Sequence, residues 1–127
     1  MNTKSKIVLA LVAGAALGAA AVQGLHAQAK PKAYLITESE VLDRAALDTY
    51  LPRVRQAAKA AGGNLDFVPP GDKIVALVGT APKRIGVSEW ESMEKAQAWF
   101  KSPERQALAQ QRDKAQKITR QFLVEGK

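Results

Sequence analysis

The chain has 127 residues, of which 46% are hydrophobic, 24% are charged and none is cysteine. That length accommodates one domain around one core, and the lack of cysteine excludes disulfides, thiol catalysis and thiolate metal sites. The 19 basic residues exceed the 12 acidic ones by seven, and the single histidine is His26.

Lys4 and Lys6 form a basic opening, Ile7 to Val22 is an apolar run, and Ala27-Gln28-Ala29 closes it with small residues. These are the three parts of a secretory signal peptide. The pattern predicts a signal peptide over residues 1–29, cut after Ala29 or alternatively after Ala27, and a mature domain over 30–127. The competing reading is an uncleaved membrane anchor with Gly14 and Gly18 forming a small-residue helix contact. Its sixteen apolar residues fall short of the about 20 needed to span a bilayer. The run has no paired arginines before it, which points to the general secretory route, and no cysteine after it, which excludes lipid attachment there. Export to the periplasm or the extracellular space follows, with membrane contact only in transit. Either cut discards His26, and with Lys4 and Lys6 gone 17 basic residues face 12 acids, a net charge of +5. In an exported protein this excess reads as a solvated surface favouring anionic partners, with no nucleic-acid interface.

Ala33 to Val41 is β-prone, with Tyr34, Ile36 and Glu38 on one face and Leu35, Thr37 and Val41 on the other. Asp43 is placed to cap a helix whose apolar stripe runs through Leu47, Tyr50, Leu51, Val54, Ala57, Ala58 and Ala61. Pro52 predicts a kink or break near Tyr50, and Gly62-Gly63 ends the helix, one of them left-handed. Asn64 to Val68 reads as a short strand with Leu65 and Phe67 on one face. Pro69-Pro70-Gly71-Asp72 bends the chain, and a strand resumes at Lys73 through the β-branched run Ile74 to Val78. After the turn Gly79 to Pro82, Lys83 to Trp90 alternates, with Ile85, Val87 and Glu89 opposing Arg84, Gly86, Ser88 and Trp90. Ser92 caps a helix carrying Met93, Ala96, Trp99 and Phe100, with Glu91 and Lys95 spaced to pair. Ser102-Pro103-Glu104 starts a third helix, with Leu108, Gln111, Ala115 and Ile118 inward, before a last strand over Thr119 to Val124.

The order β-α-β-β-α-β predicts an α+β, ferredoxin-like domain: an antiparallel sheet with helices on one face. Its other face, with Ile36, Trp90 and Phe122 among the candidates for it, would expose an apolar patch that a second subunit can cover.

Ala33-Tyr34-Leu35-Ile36, Gly62-Gly63, Lys83 to Trp90, Ala98 to Glu104 and the terminal Leu123-Val124-Glu125-Gly126 together resemble the domain-of-unknown-function 1330 family of the dimeric α/β-barrel superfamily. The resemblance spans nearly all of the mature chain and implies the fold and a homodimer. It departs at Asn64, where the family often has a basic residue, and at Arg105, where it often has an aromatic one. The superfamily includes haem-handling proteins, cofactor-independent monooxygenases and small isomerases, and the family carries no settled activity.

Without histidine or cysteine in the mature chain, haem ligation by those residues and a closed zinc site are excluded, as is serine-histidine chemistry. Haem ligation through Tyr34 or Tyr50 is the one such route left. No cofactor and no metal is expected. The remaining candidates are Tyr34 and Glu38 on the first strand and Arg84, Ser88 and Trp90 on the third. If both sets share the open face, they line a dimer cavity suited to a small anionic or aromatic molecule; otherwise they serve as an ion pair and interface contacts. Glu89, beside Ile85 and Val87, is the weak candidate for a catalytic acid or base, against a simple cross-strand partner. Trp99 and Phe100 read as core, and Lys101, Arg105 and Arg112 as a solvated helix face. Two function classes follow: a homodimeric small-molecule-binding or accessory protein of the cell envelope, or a cofactor-independent enzyme on a small organic substrate. The lack of histidine favours binding.

Overall fold

A computed structural model describes residues 30–127, and the predicted signal peptide lies outside these described residues. Strand β1 (Ala33–Val41) leads into helix α1 (Arg44–Ala60). Asp43 caps that helix, its carboxylate accepting from the Ala46 amide at 2.9 Å. Leu47, Tyr50, Val54 and Ala58 are the buried residues of α1, spaced by three and four as its apolar stripe predicts. The helix runs through Pro52 without the expected break. Pro52 and Asp48 are both exposed, so the ring lies on the solvent side and water can serve the carbonyl that proline deprives of a donor. Gly62, at φ +93°, then donates to the Lys59 carbonyl and turns the chain into the sheet.

Strands β2 (Gly63–Gly71) and β3 (Arg84–Trp90) follow. Helices α2 (Met93–Lys101), α3 (Pro103–Ala107) and α4 (Ala109–Ala115) precede β4 (Gln116–Glu125). The sheet order is β2-β3-β1-β4 with every pairing antiparallel. This is the ferredoxin-like β-α-β-β-α-β arrangement that the pattern predicts, its second helical region split into three. Ser92 and Ser102 cap α2 and α3 as expected, and Glu91 pairs with Lys95.

Three local expectations are corrected. The run Ile74 to Val78 is not a strand: Val75, Leu77 and Val78 stand 78, 92 and 95% exposed in the connection between β2 and β3. Strand β3 already pairs with β1 on one side and β2 on the other, so it has no free edge for this run, and β2, extended through Pro69 and Pro70 to Gly71 rather than bending there, takes that place. The predicted third helix breaks at Leu108, and β4 starts at Gln116, so Ile118 belongs to the strand. Leu65 and Phe67 do not share a face. Register shifts within β2 leave Leu65 under the helices and Phe67 against Tyr34 on the far side, ring centroids 5.4 Å apart.

The core lies between the sheet and the helices. Ala33 and Leu35 of β1, Trp90 of β3, the α1 stripe, Ala96, Trp99 and Ala115 are buried there. The opposite face carries Tyr34, Ile36 and Glu38 opposite Glu89, Val87 and Ile85 on one side and Val124, Phe122 and Arg120 on the other. Phe67, Val68, Phe122 and Val124 remain 46 to 49% exposed. Ion pairs bound this apolar band: Lys32 with Glu89 at 2.8 Å, and Glu38 with Arg120 through two bonds of 2.7 and 3.0 Å. The Arg120 guanidinium holds the Glu38 carboxyl below its ordinary range, and Lys83, 2.6 Å away, does the same for Glu40. Both contributions to stability are complete above the ordinary carboxylate range and are lost as pH falls through the lowered values.

Candidate functional site

Residues directly opposite in an antiparallel pair share a face. Leu35 stands opposite Ser88, Ala33 opposite Trp90 and Ser39 opposite Arg84. Arg84, Ser88 and Trp90 therefore lie on the helix side, while Tyr34, Glu38 and Glu89 lie on the open side. The expected shared dimer cavity is corrected: the two sets are separated by the thickness of the sheet. Trp90, also a candidate for the open face, is fully buried beneath the helices, its indole donating to Ser88 Oγ at 3.0 Å. Glu89 is taken up by Lys32 and lines no described cavity. Tyr34 packs on Phe67, and Glu38 is held by Arg120.

The helix-side set lines a cavity of about 100 Å³ between the sheet and the helices. Leu35, Val54, Trp90 and Trp99 supply apolar wall, and Tyr50, Arg84, Arg105, Arg112 and Gln116 supply polar groups. Each is placed by its element. Strand alternation turns Arg84 under the helices, where its guanidinium donates to Gln116 Oε1 at 3.3 Å. Arg105 leaves the first turns of α3 and lies over the Phe100 ring, 4.2 Å from its centroid. Arg112 extends from α4 and bonds Asp113 at 2.9 Å. Gln116, 8% exposed, sits where α4 passes into β4.

The electrostatics of this cavity are one-sided. Burial, reinforced by Arg44 and Arg55 and opposed by Asp72, lowers the pKa of Arg84. Burial and the nearby Arg112 lower that of Arg105, against weaker help from Tyr50 and Asp113. Burial likewise raises the Tyr50 phenol, with Arg112 and Arg105 pulling the other way. Arg55 is engaged by Asp66 and Arg112 by Asp113. Among the described residues, no carboxylate reaches ion-pair distance of Arg84 or Arg105. Half-desolvated guanidinium groups in this state favour an anion supplied from outside. No cluster of three or more His, Cys, Asp or Glu side chains that could hold a metal occurs among the described residues.

Sequence reading missed Tyr50, Arg105, Arg112 and Gln116. The arginines read as one exposed face because a single helix was expected; the break at Leu108 re-aims them. Tyr50 was part of the core stripe, and its hydroxyl was the available signal.

The family model for "Domain of unknown function (DUF1330)" matches residues 32–127, and the chain belongs to that family. No curated protein matches significantly. Two crystal structures of one Rhodopseudomonas palustris protein of unknown function, one of them methylated, superpose with TM-scores of 0.56 and 0.55 at 13% identity. They cover 77 and 76% of this chain and 81% of the other, and they show a shared fold. A Chloroflexus aurantiacus structure described as a putative antibiotic biosynthesis monooxygenase is similar at TM-score 0.44 and 16% identity, over 75% of this chain and 92% of that one.

Proposed function

We propose that this protein is an exported homodimer that binds a small organic anion in the cavity between its helices and its sheet. The observation that carries the reading is the pair of half-desolvated guanidiniums, Arg84 and Arg105, lining that cavity with no carboxylate in ion-pair reach. Gln116 supports it, because a neutral amide orients Arg84 without cancelling its charge. Size narrows the class. A cavity of about 100 Å³ is smaller than the ~150 Å³ that takes benzene, so its inner part fits roughly four or five non-hydrogen atoms, enough for the head of a short carboxylic acid.

Arginine's planar fork grips a carboxylate through two parallel bonds, which lysine does not reproduce. Arg84→Lys is expected to weaken binding of short monocarboxylates by about 1–3 kcal/mol, or roughly 5- to 150-fold, measured by titration calorimetry or by the fluorescence of Trp90 and Trp99. Glu38→Gln, on the other side of the sheet, serves as the unaffected control. Unchanged affinity in Arg84→Lys returns that arginine to a structural role.

Export rests on the Lys4/Lys6, Ile7–Val22 and Ala27-Gln28-Ala29 pattern. Intact mass of the protein recovered from the envelope is expected to give an N-terminus at Lys30 or Gln28. Full-length chain held in membranes contradicts it. The homodimer rests on the half-exposed apolar band of the open face and the ion pairs that bound it.

A further inference from the structure

The cavity around Arg84 does not end at the helices. Arg105, Arg112 and Gln116 line it, and the same residues line a second, wider cleft of about 430 Å³. The two spaces thus share a wall, with Arg84 only in the inner one and Arg105 at the boundary. The two guanidiniums belong to opposite layers: Arg84 rises from β3 and is steered by Gln116, whereas Arg105 hangs from α3 across Phe100. These are two cationic positions on opposite layers with apolar wall near them, and a ligand with two anionic heads can satisfy both.

We infer that the ligand is a dicarboxylic acid, its first carboxylate seated on Arg84 in the inner cavity and its second on Arg105 at the mouth of the outer cleft. This rests on the anion-binding reading above and narrows it. The inner space takes one carboxylate and one or two carbons, so the second carboxylate emerges where Arg105 stands and the wider cleft admits it. Both heads are charged at neutral pH, and linking them makes the second contact intramolecular. Of the two arginines that line both spaces, Arg112 is tied to Asp113 and Arg105 is left for the second head, while Lys117 lines only the outer cleft.

The test is a length series on the protein as it exists: α,ω-dicarboxylates of four to eight carbons against monocarboxylates of the same lengths, by calorimetry at fixed ionic strength. One diacid length is expected to bind about tenfold or more tighter than its monoacid, with shorter and longer diacids weaker. Arg105→Gln should weaken the favoured diacid about tenfold more than its monoacid, and Arg105→Lys should retain part of the diacid advantage. Thermal unfolding of each variant establishes that the fold is kept, and the wild-type series stands without any variant. Monoacids that bind with no diacid advantage at any length overturn this inference and leave the anion site intact. Arg105→Gln weakening both classes equally also overturns it, by placing Arg105 and Arg84 on one carboxylate. Binding of neither class up to about 10 mM overturns both readings together.

Discussion

Trp90→Ala is expected to destabilise the protein by about 3–5 kcal/mol, the usual loss for an aromatic removed from a packed core. Trp90 is fully buried, its indole lies 5.9 Å from that of Trp99, and its N–H is satisfied by Ser88. The backbone of β2 closes on the ring so tightly that a side-chain carbon added at Gly63 would sit 2.6 Å from it. Little can move in to fill the space, since Ala33 and Ala96, also buried there, have no length to spare. With a urea slope of about 1–3 kcal/mol per M, the unfolding midpoint is expected to fall by roughly 2 M. Protein concentration must be held fixed, because the apparent stability of the proposed dimer would depend on it. Trp90→Phe, which keeps most of the bulk and loses the Ser88 bond, should cost less. A loss below about 1 kcal/mol for the alanine variant contradicts the account of the core.

The same residue marks where sequence reading reached its limit. Alternation along Lys83 to Trp90 separates Arg84, Ser88 and Trp90 from Ile85, Val87 and Glu89, and the sheet keeps that separation. Period two does not say which set is inside. Both sets contain apolar and ionisable members, so hydropathy does not choose. The choice is made by register: Ala33 and Leu35 are small or aliphatic and lie in the core beneath the helices, and Trp90 and Ser88 pair opposite them. Helix caps were legible because a single side chain carries each one, as Asp43, Ser92 and Ser102 show. The run Ile74 to Val78 misled because β-branched composition reports a preference, whereas a strand also needs a partner, and β3, the strand that follows it, is paired on both sides. The cavity depends on where the helix after Ser102 breaks, and nothing about Leu108 in sequence announces that break. Arg105 and Arg112, seven residues apart, remain on one continuous face in a sequence reading and become cavity wall only once α3 and α4 are separate.

The corrected faces also change which residue tests the dimer. A charge at Trp90 would unfold the protomer and report nothing about association, so the informative position is Phe122. It is 47% exposed and lies opposite Ile36, within the open-face band that also holds Val87. An aspartate there meets water in the monomer and costs the fold little. In a two-fold dimer the same carboxylate is buried twice, and each copy forfeits part of the about 1.5–3 kcal/mol that burying a large apolar side chain contributes. Arg120, 5.9 Å from the centre of the Phe122 ring, is already bound to Glu38 by two hydrogen bonds and is poorly placed to neutralise the newcomer. An unpaired carboxylate at a dry interface costs several kcal/mol more per copy, so a combined loss of at least about 4 kcal/mol, a thousandfold in dissociation constant, is expected. The margin of association is narrow enough for that to decide the state, because the gain from the apolar band must first exceed a translational and rotational cost of about 4–15 kcal/mol. Light scattering after size-exclusion chromatography at micromolar concentration is expected to give twice the chain mass for the native sequence and the chain mass for Phe122→Asp, with circular dichroism unchanged between them. A folded native monomer under those conditions removes the dimer while leaving the helix-side cavity, which lies within one protomer, untouched.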